Sequence, residues 1–267
     1  MALSSCLRYG ERKGILDRSP LSGVPAPRKQ RPKDDIEFAS AQAAKLLANL
    51  AADQDPDFCR WLMQFVGLRR AERLGLQWSC VKGLDTDEPV IEIRYQLARR
   101  ADGSGWYLDD RTKTYKERFI VLNEPFVSAL RDHKAAQDEF KKSEAWQPEP
   151  RFADLVFLQP DGSLITLNRD NNDWHKTLDH YDLPQWRAHL NRHITATWLA
   201  EQETPVSAGT LQSILGHDTE AMAYYYSKTT KKQQSGPMLR YGEAISRART
   251  LPWRGPNQQP IASLIAR

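Results

Sequence analysis

Five stretches of the 267-residue sequence place reactive side chains where predicted elements begin or end: Arg69, Lys113, the pair His189 and Arg192, His217, and Tyr226. Together they supply two guanidinium groups, one ammonium, two imidazoles and a phenol. Arginine stays charged and offers a planar fork that donates two hydrogen bonds to an anion. A phenol, with a reference pKa of about 10, must lose its proton before it can attack. Histidine is the side chain that titrates nearest neutrality. His189 and Arg192 are spaced i, i+3 and so share one helix face. Tyr226 follows His217 by nine residues and ends the run Tyr224-Tyr225-Tyr226. Tyr225 lies about 100° round a helix from Tyr226 and is assigned to packing. Taken singly, each of these residues also reads as ordinary surface or core. His189 and His193 have the i, i+4 spacing of a metal pair, but the glutamate of a zinc-protease helix is absent between them. Asp109-Asp110 reads as a turn with two exposed acids.

The elements that must carry these groups follow from periodicity. Residues 4–15 form a short helix ending near Gly14, and the prolines at 20, 25, 27 and 32 make residues 19–34 an extended linker. Ser40 caps a helix with Ala43, Ala44, Leu46, Leu47 and Leu50 at helical spacing. Asp55-Pro56 opens the next, with Phe58, Leu62, Phe65 and Val66 inward, and Gly67 interrupts it. A further helix starts near Arg69 and carries Leu74 and Leu76. Ile91, Ile93, Tyr95 and Leu97 then alternate with polar residues as one half-buried strand. Trp106 with Leu108, and Phe119 with Val121, suggest two more strands, joined by a hairpin turn at 111–116. Helices are predicted at 124–142, 169–181, 185–202, 207–215, 220–228 and 237–249, with a loop at 146–150.

The order of these stretches resembles the tyrosine recombinase (phage integrase) family over roughly residues 36–230. Gly67-Leu68-Arg69-Arg70-Ala71-Glu72-Arg73-Leu74 resembles its first arginine box, and Thr112-Lys113-Thr114 with Lys116, Arg118 and Val121 its lysine motif. His189-Leu190-Asn191-Arg192-His193 resembles its His-x-x-Arg box, and Leu215-Gly216-His217-Asp218 its Leu-Gly-His box. The step from His217 to Tyr226 is the family's nucleophile spacing. Each motif is weak alone; five in the correct order are specific.

The resemblance implies a mainly α fold with a small antiparallel β-sheet (α+β), the DNA breaking-rejoining catalytic domain. It implies strand cleavage and rejoining through a 3′-phosphotyrosine on Tyr226. Arg69 and Arg192 would clamp the scissile phosphate, His217 would hydrogen-bond it, His189 would take the phenolic proton, and Lys113 would protonate the departing 5′-oxygen. Glu72 would help to orient the histidine of the His-x-x-Arg box. Such chemistry needs no metal and no cofactor. Double-stranded DNA is the implied partner, on which a homotetramer assembles from protomers that can be monomeric in free solution. The same constellation serves nicking and closing of the type IB topoisomerase kind, and the fold without the chemistry would serve a DNA-binding accessory protein.

Charge fits a polyanion partner. Residues 1–35 hold eight Lys/Arg against four Asp/Glu, which accounts for the net +4, while the remainder is balanced. Arg28, Lys29, Arg31, Lys33, Arg111, Lys116 and Arg118 are the candidate DNA-binding cations, and Lys228, Lys231 and Lys232 form a third basic run. No apolar run approaches the roughly 20 residues of a membrane span, and no secretory signal opens the chain. Three cysteines without a C-x-x-C spacing read as free thiols in a reducing cytoplasm, where the nucleoid lies. Three regions are expected: residues 1–35, a remnant of a core-binding domain plus a basic proline-rich linker; 36–235, the catalytic domain; and 236–267, a C-terminal helix and tail that packs on a neighbouring protomer. Two features depart from the family. Residues 5–20 look like the last helix of the core-binding domain alone, and Asn191 precedes the second arginine.

Overall fold

The computed structural model describes residues 2–22, 34–110, 118–200, 206–216 and 231–250. The chain divides into two compact units, Met1–Lys33 and Asp34–Arg267. The first holds helix α1 (Ala2–Arg12). It closes at Gly14, whose φ of 68° is left-handed, and the N–H of Ile15 returns to the Gly10 carbonyl at 2.8 Å.

The second unit opens with α2 (Asp34–Ala52), which begins six residues before Ser40. Its apolar positions divide between two cores. Ala43 and Leu47 face the main one, while Leu46 and Leu50 pack with Trp61, Trp174, Leu178, Leu183 and Trp186. The i, i+4 spacing within each pair is what lets one helix serve both. Helix α3 (Phe58–Leu62) tightens into a 3₁₀ turn over Met63–Val66 and stops at Gly67, with φ 96°. Next comes α4 (Arg70–Leu74), with Arg69 in extended conformation as its N-cap. Leu76 falls beyond that helix and is buried in the main core.

The strands β1 (Val81–Lys82), β2 (Val90–Ile93), β3 (Tyr95–Arg99), β4 (Trp106–Asp110) and β5 (Arg118–Val121) correct the sequence reading in three ways. The single strand expected from Ile91 to Leu97 is two, split at Arg94, because its partner changes there. β5 pairs β2, with Ile93 opposite Arg118, whereas β4 pairs β3, with Tyr95 opposite Asp110. The result is a three-stranded antiparallel sheet in the order β1-β2-β5 and a separate hairpin β3-β4. The turn expected at 111–116 lies outside the described residues, while the β3-β4 hairpin turns at Arg100–Gly105, which the sequence reading did not mark. Gly103 and Gly105 there have φ of 77° and 146°, and Arg100 N–H bonds the Gly105 carbonyl at 2.9 Å. Asp109 and Asp110 lie in strand β4, not in a turn, and Gln96 Nε2 donates to Asp109 at 2.7 Å.

Among the described residues the remaining helices are α5 (Phe126–Phe140), α6 (Leu167–His180), α7 (His189–Ala200), α8 (Ala208–Leu215) and α9 (Lys231–Thr250). Thr166 caps α6 by accepting from the N–H of Arg169 at 3.2 Å. α7 starts four residues later than predicted. Before it, the chain passes Pro184 and places the Trp186 carbonyl to accept from Trp174 Nε1 at 2.8 Å. α9 starts earlier than predicted and runs through Pro237. Packing outweighs proline's missing donor there: Met238, Tyr241, Ala244 and Ile245 are buried in the main core. Gly242 allows that approach, since a Cβ in its place would strike Asn123 and the Glu124 carbonyl. The four buried side chains of the segment expected to pack on a neighbouring protomer thus lie on the chain's own domain, and residues 251–267 of that segment lie outside the described residues. The helix predicted at 220–228 lies outside the described residues.

Candidate active site

Two of the candidate groups, Arg69 and Arg192, meet where α8 ends. A helix leaves its last carbonyls without partners inside the helix, and these carry the negative end of its dipole. Leu215 is the last residue of α8, and Gly216 turns the chain away with φ 62°. Arg192 Nη2 donates to the Leu215 carbonyl, and Arg69 Nη2 to the Gly216 carbonyl. Arg192 Nη1 also donates to the Gly67 carbonyl at 2.5 Å, at the left-handed break before Arg69. The two arginines, 123 residues apart in sequence, are therefore anchored on successive carbonyls of the segment that leads directly into His217. Arg192 is 5% exposed. Charge-assisted bonds of this kind are each worth about 1.5–3 kcal/mol and fix the plane of the fork.

Glu72 orders Arg69. Its Oε2 accepts the Arg69 N–H at 2.9 Å, and its Oε1 accepts Arg69 Nη1 at 2.9 Å. A third bond comes from Arg118 Nη2 to Oε2 at 2.8 Å. The Glu72 side chain is 1% exposed. Burial alone would raise its carboxyl pKa, but the charge of Arg118, followed by the bonds and charge of Arg69, holds it below the ordinary value. The carboxylate that the family resemblance gave to the His-x-x-Arg histidine is thus bound to two arginines. The cluster of Arg69, Arg118, Arg192 and Glu72 carries three positive charges against one negative, a setting suited to an anion.

His189 is the first residue of α7, on the helix face shared with Arg192. Its ring meets that of His193 edge to face, with centroids 4.9 Å apart. Although the residue keeps an exposed side, partial desolvation pushes its pKa down from 6.5. The neighbouring His193, Arg192, Arg69 and Arg70 push the same way. The imidazole is therefore neutral at neutral pH and able to accept a proton. Among the described residues, no group of three or more His, Cys, Asp or Glu side chains is arranged to hold a metal ion.

Lys113, His217 and Tyr226 lie outside the described residues, as do Arg28, Lys29, Arg31, Lys33, Arg111 and Lys116. Of the candidate DNA-binding cations, Arg118 alone is described. Its side chain is 12% exposed and bound to Glu72, an inward position in place of the expected surface one. Asn191, read as a departure, is fully buried. It accepts from Trp186 Nε1 at 2.9 Å and donates to Gln64 Oε1 at 2.6 Å, pinning the start of α7 to the 3₁₀ turn. Thr195, one helical turn on, donates to the Phe65 carbonyl at 2.9 Å and lies 3.0 Å from the Tyr241 hydroxyl. Neither contact has a sequence signature, because both depend on which turn faces α7.

Behind the site a buried ionic layer sets the angle of α4. Arg73, one residue after Glu72, places Nη2 at 2.9 and 2.8 Å from the two Asp170 oxygens and Nη1 at 3.1 Å from the Arg60 carbonyl. Arg60 lies 4.2 Å over the Trp61 ring and bridges Asp57 and Asp173.

Residues 38–233 match the family model described as "Phage integrase family". The integrase of Salmonella phage P22 is 23% identical over 238 residues, which is 84% of this chain and 51% of that protein. The chain therefore spans about half the length of that curated relative. Among solved structures, the Tn1549 transposon integrase (residues 82–397, Y379F) in complex with transposon right end DNA aligns with a TM-score of 0.58 and 20% identity. That alignment covers 89% of this chain and 76% of the other. The same integrase in complex with circular intermediate DNA aligns with a TM-score of 0.57 and 21% identity, over 88% and 75% of the two chains. At such identity the likeness shows the fold: a tyrosine recombinase catalytic domain, mainly α with small antiparallel sheets.

Proposed function

The chain belongs to the phage integrase family, and from that premise we propose that it cleaves and rejoins duplex DNA at specific sites by transesterification on Tyr226. The observation that carries this reading is the anchoring of Arg69 and Arg192 on the two carbonyls that precede His217. That arrangement brings both boxed arginines to the Leu-Gly-His segment, although the three are remote in sequence. Attack on a phosphodiester builds negative charge on the non-bridging oxygens, and prealigned guanidinium groups stabilise that charge without reorganising.

In this reading the Tyr226 oxygen attacks phosphorus, its proton passes to neutral His189, and the bond to the 5′-oxygen breaks as Lys113 supplies that oxygen's proton. A 3′-phosphotyrosine and a 5′-hydroxyl result. The displaced hydroxyl, or one from another strand, reverses the step, so the phosphodiester's energy is kept and no nucleotide cofactor is consumed. His217 donates to the phosphate. Synapsis uses a homotetramer on DNA, and the cations of residues 28–33, with Arg111 and Lys116, track the backbone at the nucleoid. Among the described residues no helix is long and apolar enough to cross a membrane.

The test is incubation of the full chain with a nicked suicide duplex, followed by a denaturing gel. A covalent protein–DNA adduct that disappears in Tyr226→Phe is the expected result. Duplex binding without an adduct under any condition would instead identify a DNA-binding accessory protein. Relaxation of supercoiled plasmid with no strand exchange would identify a nicking and closing enzyme.

A further inference from the structure

We propose that Arg118 is a positioning residue of the proposed strand-transfer site: one guanidinium that joins the lysine-bearing segment, the first arginine box and the corner before His217. The proposal rests on the transesterification reading above.

Arg118 opens β5, five residues after Lys113, and is held in register opposite Ile93 of β2. From that fixed backbone its side chain turns inward. Nη2 reaches Glu72 Oε2 at 2.8 Å, the same oxygen that accepts the N–H of Arg69 at 2.9 Å. On its other side it fills the space beside Gly216. A Cβ built there would lie 2.7 Å from the Arg118 Cζ and 3.1 Å from its Cδ, and would meet Nη1 closer still. Gly216 in turn gives its carbonyl to Arg69. Arg118, Glu72, Arg69 and Gly216 thus form a closed ring, with ion pairs along one side and backbone contact along the other. Loosening Arg118 takes one of the three hydrogen bonds from Glu72 and empties the space beside Gly216, so that Arg69 and the Gly216 corner lose a shared support.

Its location decides against a simple DNA contact. A residue that tracks phosphates keeps its head in solvent, whereas this one is largely withdrawn and committed to a buried carboxylate. The sequence placed it within the lysine motif, and only the fold shows that it faces the arginine box.

The experiment uses the full chain with Arg118→Gln and Arg118→Lys, each checked for cooperative unfolding. Single-turnover adduct formation on the suicide duplex is followed as a function of pH at saturating DNA. Arg118→Gln is expected to slow the chemical step by about tenfold to a hundredfold, the scale of a small misplacement. Its acid limb should move to higher pH, because Glu72 loses its strongest counter-charge while burial still opposes ionisation. Arg118→Lys should restore much of the acid limb but less of the rate, since an ammonium carries the charge without the fork. In a Glu72→Gln background the Arg118→Gln change should add little. A wild-type pH profile in both variants, or a loss confined to duplex affinity, overturns the proposal. Should Arg118→Gln fail to fold, the Lys variant alone decides. If the wild type itself gives no adduct, the transesterification reading has failed. Carbon-13 titration of Glu72 then judges the ring, and identical titrations in wild type and variants overturn it.

Discussion

Glu72 grips Arg69 at both ends of the residue, taking its backbone N–H with one oxygen and its guanidinium with the other, each at 2.9 Å. Helix start and side-chain direction are therefore set by one carboxylate, which fills the N-terminal capping role and an ion pair at once.

Glu72→Gln breaks that hold and leaves two arginines around a neutral amide. The expected destabilisation is about 3 kcal/mol, the scale for removing one partner of a buried pair. A pH dependence accompanies it. The carboxyl is held below 4.5 in the folded state, so its stabilising contribution is present above that value and lost as pH falls through the folded pKa. Urea unfolding at several pH values checks this: the wild type should lose stability below about pH 4.5 more steeply than the variant.

His189 titrates in the opposite chemical sense but with the same direction in pH. Its pKa is lowered from 6.5, so the neutral imidazole persists to lower pH than in the unfolded chain. Stability from this group is present above 6.5 and declines as pH falls through that value toward the folded one. Adduct formation should stay level through neutrality and fall only below 6.5. His189→Ala should cost about a hundredfold to ten-thousandfold in rate, as expected for loss of a general base, with binding retained.

Gly216 and Gly103 make a matched comparison. Both have left-handed φ, 62° and 77°, but a Cβ at 103 meets nothing within 4 Å, whereas one at 216 strikes Arg118. Gly103→Ala should cost about 1 kcal/mol of backbone strain and leave strand cleavage intact. Gly216→Ala should cost more and cut adduct yield per folded molecule at least about tenfold, because Arg118 must give way. Thermal melts and the suicide-duplex gel separate the two.

The buried layer behind α4 predicts stability without chemistry. Asp170→Ala strands Arg73, whose side chain is 1% exposed, and should cost about 3–5 kcal/mol by urea unfolding. Replacing both partners, with Arg73→Met and Asp170→Leu, should recover much of that loss, since an apolar pair needs no desolvation.

Most helices were readable from the sequence because their apolar spacing persists into the core, as at Leu46, Leu47 and Leu50. The break at Arg94 was not. Alternation continues unchanged from Ile91 to Leu97, and only the identity of the facing strand divides it. The aspartate, glycine and serine positions at 102–105 carry turn chemistry that the sequence reading did not use, because the lysine motif further on carried more weight. Within the site, order and spacing picked out Arg69, Glu72, His189 and Arg192. They could not assign Arg118, because a strand residue's facing partner depends on tertiary packing. Nor could they show that Asn191 would find Trp186 and Gln64.

The split sheet has a mechanical consequence. Asp110 stands opposite Tyr95 in the hairpin and Arg118 opposite Ile93 in the three-stranded sheet, so the segment carrying Lys113 leaves one sheet and enters the other, its two ends staked to partners only two residues apart in sequence. Only seven residues of sequence, 111–117, separate those two stakes. Lys113 is thus on a leash whose length is written locally. Adding or removing residues between 111 and 117 retunes its reach, while the hairpin beyond Tyr95 can grow or shrink without slackening it.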